Sequence, residues 1–136
     1  MENKALMQEM VDKNYQWFVV EKHEPSMAGS GASMSCMYIA DDGRRCGFAA
    51  CLNKAELEAA HLHEGDIASL LITKEPLVFE RFVGLEDFSD HLQRCHDGAA
   101  QNANHFHQDF VQDYVVRMQT LCGKYHLVWP GDVVAQ

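Results

Sequence analysis

The cysteines at positions 36, 46 and 51, and the adjoining pair His96-Asp97, are the side chains here whose chemistry extends beyond packing. Cys46 follows Arg44 and Arg45, whose positive charge favours a thiolate, the nucleophilic form of the side chain. His96 would supply a general base and Asp97 a carboxylate, which makes Cys46, His96 and Asp97 the candidate catalytic set. Consecutive helical residues point in different directions, so Asp97 is not expected to orient His96. The competing reading has Cys46 filling a core while His96 and Asp97 cap the end of a helix.

Metal binding is the next chemistry to weigh. Cysteines, together with His61, His63, His91, His96, His105, His107 and His126, supply thiolate and imidazole donors of the kind zinc takes in a tetrahedron. His91 and Cys95 lie four apart, so both could face one ion from a single helix. No Cys-x2-Cys knuckle is present, and Cys46-x4-Cys51 is not a common zinc spacing. No metal ligands and no cofactor are therefore assigned, and a zinc-stabilised binding module stands as an alternative. The sequence also contains no phosphate-cradling glycine loop and no serine elbow.

The elements that must position these residues follow from pattern. Residues 2–23 carry Leu6, Met7, Met10, Val11, Asn14 and Phe18 on one face at helical spacing, and Glu24-Pro25 predicts the stop. Residues 24–35 are small and glycine-containing and read as a flexible loop. Asp42-Gly43 lies between two short apolar runs, which predicts a β-hairpin with strands near 36–40 and 45–49. Its turn region, Tyr38, Asp42, Arg44 and Arg45, is the candidate binding surface.

Asn53 with Glu56 predicts a capping box opening a helix to about His61, and Asp66 a cap for a short helix through Ile72. Leu85, Phe88, Leu92 and Cys95 form a helical stripe that Asp97-Gly98 is expected to end. A polar loop over 99–104 leads to a helix over 104–122 with Phe106, Phe110, Tyr114, Met118 and Leu121 on its apolar face and Gly123 at its end. Residues 125–129 read as a strand, and 130–136 as a loose tail. The expected fold is α+β: a mostly helical single domain over 1–136, with the hairpin packed between N- and C-terminal helices.

At 136 residues, 47% of them hydrophobic and 23% charged, the chain can bury a core of its own. The formal net charge of −9 repels phosphate backbones and anionic lipid, so neither direct nucleic-acid nor membrane binding is expected. The start of the chain has no signal-peptide pattern, and no run of about 18 apolar residues would span a bilayer. Reduced cysteines in a cytoplasm are the expectation, with the protein a monomer or homodimer.

Tyr38, Asp42-Gly43, Cys46, Gly47 and Leu52, then Glu64-Gly65, then Leu92-Gln93 with His96-Asp97, then Tyr125 and Leu127, form a pattern spanning most of the chain. It resembles an uncharacterised group of small bacteriophage and prophage proteins, departing from it at Phe48-Ala49. The resemblance implies a genomic setting, and a host cytoplasm, without naming a reaction. By analogy it implies a small acidic accessory protein that binds a host protein or complex, an inhibitor of nucleic-acid-handling or defence machinery in its sharpest form. The alternative is a cysteine-dependent enzyme using Cys46 with His96.

Overall fold

In the computed structural model, which describes residues 2–23, 27–28, 35–36, 44–64, 66–102 and 107–132, the apolar face expected of the first helix is the one turned inward. Helix α1 (Glu2–Asn14) widens into a π-helical turn over Tyr15–Val20, and Met10, Val11, Asn14 and Phe18 are fully buried. The Glu21 N–H donates to Gln16 O at 2.9 Å, and Lys22 adopts φ 58°. That left-handed residue closes the helix before Glu24-Pro25 is reached.

The fold is mainly α-helical, which corrects the α+β expectation. Regular β-pairing among the described residues amounts to two residues on each side, Met27–Ala28 (β1) antiparallel to Ser35–Cys36 (β2). Cys36 therefore pairs with Met27. Tyr38, the Asp42-Gly43 turn and most of the first expected hairpin strand lie outside the described residues, as does most of 24–35.

Of the second expected strand, 45–49, Arg45 keeps an isolated β-bridge and the rest is replaced by a tight turn. The Ala50 N–H donates to Cys46 O at 3.0 Å, and Ala49–Cys51 is a 3-10 turn. Residues 46–52 are all buried in succession. A half-buried strand would alternate between faces. This small-residue run instead threads the interior and packs against α1.

Asn53 and Glu56 form the expected capping box at the start of α2 (Lys54–Leu62). Its two bonds, Glu56 N–H to Asn53 Oδ1 and Asn53 N–H to Glu56 Oε1, are both 2.9 Å. Helix α3 (Ala68–Lys74) has no side-chain cap of its own. Its first amides donate to the following long helix, α4 (Glu86–Asn102): Ala68 N–H to Gln93 Oε1 at 3.0 Å and Ser69 N–H to Asp90 Oδ1 at 2.8 Å. Asp66, expected to cap α3, accepts from Lys74 Nζ at 2.9 Å. Between α3 and α4, Phe79 and Phe82 turn into the core around a 3-10 turn, Glu80–Phe82.

Both glycines expected to end helices lie inside them. Helix α4 runs through Gly98 and the expected loop to Asn102, and α5 (His107–Tyr125) runs through Gly123. The Arg117 guanidinium of α5 lies where a Cβ on Gly98 would stand, so the arginine's flexible end rests against this glycine. Helix α5 ends where His126 takes φ 59° and the Leu127 N–H donates to Cys122 O at 2.8 Å. Residues 127–129 form an irregular strap in place of the expected strand, leading to a 3-10 turn at Pro130–Asp132. The Gln8 amide holds this strap to α1, donating to Val128 O at 2.7 Å and accepting from Val128 N–H at 2.9 Å.

Candidate functional site

Cys46 is fully buried, and burial pushes its thiol up to about 12, away from the thiolate form. Arg44 and Arg45 do not offset this, because removal from water is the largest influence on the group. The sulfur accepts the Ala49 N–H at 3.4 Å. His96 is likewise fully buried, its ring 5.6 Å from Phe18 and 5.8 Å from Phe110 between centroids. Contrary to the expectation from helix geometry, Asp97 reaches it: His96 Nδ1 and Asp97 Oδ1 are 2.9 Å apart.

The turn carrying Cys46 does meet α4 near His96. A Cβ on Gly47 would stand 2.8 Å from Leu92 O and 3.3 Å from His96 Cβ. The expected trio is thus brought into one neighbourhood, but inside the core. A nucleophile needs a thiolate and a path for substrate. Cys46 has neither feature here.

The polar centre of the molecule is one that motif reasoning passed over. Asn14, fully buried, donates through Nδ2 to Met10 O and to Gly47 O, both at 2.9 Å, and approaches Cys51 Sγ at 3.1 Å. Its Oδ1 accepts the Tyr114 hydroxyl from α5. The signal for it was present in outline: an amide on an otherwise apolar helix stripe must be satisfied inside the fold. Cys51, part of the same centre, is also held neutral by burial.

Of the expected binding residues, Tyr38 and Asp42 lie outside the described residues. Arg45 lies across Trp17, its guanidinium carbon 4.5 Å from the ring centroid, and His23 stacks on Trp17 at 3.6 Å. Arg44 is half-buried nearby in sequence. For metal, no group of three or more His, Cys, Asp or Glu side chains among the described residues could hold an ion.

Among the described residues, an open recess that combines charge with apolar surface lies between α4 and α5. It has a volume of about 340 Å3, with Cys95, Val116 and Leu121 along its floor and His91, Arg94, Arg117 and Lys124 around it. The helical spacing of His91 and Cys95 did place both on this face. His91 Nδ1 is 2.7 Å from the Tyr125 hydroxyl. Burial, then Lys124 and Arg94, hold the His91 pKa below its ordinary value. Burial pushes Cys95 up to about 12, so this thiol too behaves as a small hydrophobe. Arg117 is braced by Asp113, Nε to Oδ1 3.0 Å.

No protein family, curated protein or solved structure matches the chain. No helix among the described residues is long and apolar enough to cross a membrane.

Proposed function

We propose that this chain acts by binding another protein. The observation that carries the reading is the division between core and surface. Among the described residues of the expected reactive set, Cys46, Cys51 and His96 are enclosed. The open recess instead presents arginine, lysine and aliphatic side chains. Such a mixture recognises a surface without transforming it. A cysteine-dependent reaction through Cys46 would need the thiol to open to solvent and lose its proton, and burial opposes both.

The sharper form of the proposal is an accessory protein that disables a host nucleic-acid-handling or defence complex. It is supported by the net charge of −9, which suits docking against a basic channel, and by the resemblance to phage and prophage proteins. The test is capture of partners from a host lysate with tagged wild-type protein and with Cys46→Ser. Stoichiometric recovery of one complex by both proteins is the expected result. Recovery of none by wild type, or an effect lost on Cys46→Ser in a normally folded protein, overturns it.

A further inference from the structure

We propose that the α4–α5 groove is the docking site for a short acidic segment of a partner protein, one that sets an apolar side chain between carboxylates. The inference rests on the protein-binding reading above and adds where contact is made and by what chemistry.

Three features of the groove converge. The first is charge that the fold leaves unneutralised. Elsewhere, Lys13, Lys74 and Arg81 are matched to Glu9, Asp66 and Glu56 respectively. Among the described residues, neither Arg94 nor Lys124 has an ion pair. The carboxylates beside Arg94 are engaged in other directions. Asp90 accepts the Ser69 N–H, and Asp97 faces His96. Both cations lie close enough to His91 to add to the effect of burial in disfavouring its charge, with Asp87 and Asp90 acting the other way. In a chain of net charge −9, two such side chains flanking one recess make it a local positive site.

The second feature is the floor. Val116 is 60% exposed and forms part of an apolar strip with Leu121 and Cys95. A free inorganic anion would gain nothing from that strip, whereas an apolar side chain would remove it from water.

The third is size. Arg117 and Lys124 are seven residues apart on α5, roughly 10 Å along a helix axis. The volume of about 340 Å3 lies at the small end of ligand sites, enough for one large side chain and its neighbours. Long polyanions are disfavoured, since beyond the groove they would meet the acidic remainder of the surface. A few acidic residues around one hydrophobe meet all three conditions.

The experiment is fluorescence anisotropy with the full-length protein and a dye-labelled probe peptide, Glu-Asp-Leu-Phe-Asp-Glu. Controls replace Leu-Phe by Ala-Ala, or every acidic residue by Lys. Saturable binding of the parent peptide is expected, weakened several-fold by the alanine control and absent with the lysine control. Arg94→Glu with Lys124→Glu should weaken it at least tenfold, and Arg94→Gln with Lys124→Gln should weaken it less. Both pairs change exposed side chains, and circular dichroism melts verify that they fold.

No saturable binding of the parent peptide, or equal binding by the charge-reversed variant, overturns the proposal. Tighter binding of octanoate or of a single-stranded oligonucleotide than of the peptide also overturns it. Partner capture separates the two readings. A complex held equally by wild type and the charge-reversed variant removes the groove but leaves protein binding intact. Capture by neither removes both.

Discussion

The Tyr114 hydroxyl of α5 donates to the side-chain oxygen of Asn14, 100 residues earlier on α1. The amide end of Asn14 holds the carbonyl of Gly47, so one side chain joins both long terminal helices to the 46–51 turn. Buried polar groups arranged this way act as a unit. Asn14→Ala strands the Tyr114 hydroxyl, leaves the Gly47 carbonyl only the weak Cys51 thiol donor, and should destabilise the protein by about 2–3 kcal/mol. Tyr114→Phe should cost about 1 kcal/mol. Urea melts of both single variants and the double variant should show a double-mutant loss smaller than the sum, because the second change finds the bond already absent.

Gly47 and Gly123 should respond to the same substitution with opposite signs. A Cβ at position 47 meets the Leu92 carbonyl at 2.8 Å, and backbone there cannot step aside cheaply. Gly47→Ala should lower stability by about 1–3 kcal/mol through overpacking. Nothing lies within 4 Å of a Cβ at position 123, inside α5. Gly123→Ala should raise stability by about 0.5–1 kcal/mol, the usual gain of alanine over glycine in a helix. Thermal melts of the two variants decide this, and a matching sign for both would remove the argument.

Glu56 is only 3% exposed yet carries a carboxylate, and Arg81 meets both its oxygens: Nε to Oε2 at 2.8 Å and Nη2 to Oε1 at 2.7 Å. Nη2 also donates to Cys51 O at 2.9 Å. Arg81→Ala leaves that carboxylate without its cation and should cost about 2–3 kcal/mol, at or below the fully buried range because Arg81 is partly solvated. Arg81→Lys should recover only part of this, since an ammonium cannot match both oxygens in one plane. Denaturant midpoints at pH 7 give the ordering.

Cys46 and Cys95 are each pushed up to about 12 by burial, against 9.0 for a free thiol. The folded state therefore holds these protons through a range where the unfolded chain releases them. Their contribution to stability is fully present below about pH 9 and is lost as pH rises toward about 12. Near pH 10 each such thiol should reduce stability by about 1 kcal/mol relative to pH 8. Urea melts at the two pH values should show this decline, and Cys46→Ala should make it shallower. Native Cys46 should also resist a thiol reagent at pH 8 until the protein unfolds.

The capping box at Asn53 and Glu56 was legible because all of its bonds close within four residues. The stripes of α1 and α5 were legible because burial of one helical face imposes its period on composition. The second strand of the expected hairpin departs from its pattern for a related reason. Residues 45–49 are apolar and small, which fits a strand, but the interior that receives them buries both sides and takes a tight turn instead. Gly98 and Gly123 resemble helix ends in isolation. Whether a glycine ends a helix or admits a neighbour depends on what packs there, and at Gly98 that neighbour is Arg117.

Local hydrogen bonding and hydrophobic periodicity thus determined, from the sequence alone, where most helices lie and which faces they bury. Tertiary structure alone decided that Cys46 and His96 are enclosed, that Asn14 joins three segments, and that Arg94 and Lys124 border one groove. Those facts depend on how separate helices are set against each other. A residue's charge state and exposure are set by neighbours distant in the chain, and no short window of sequence contains them.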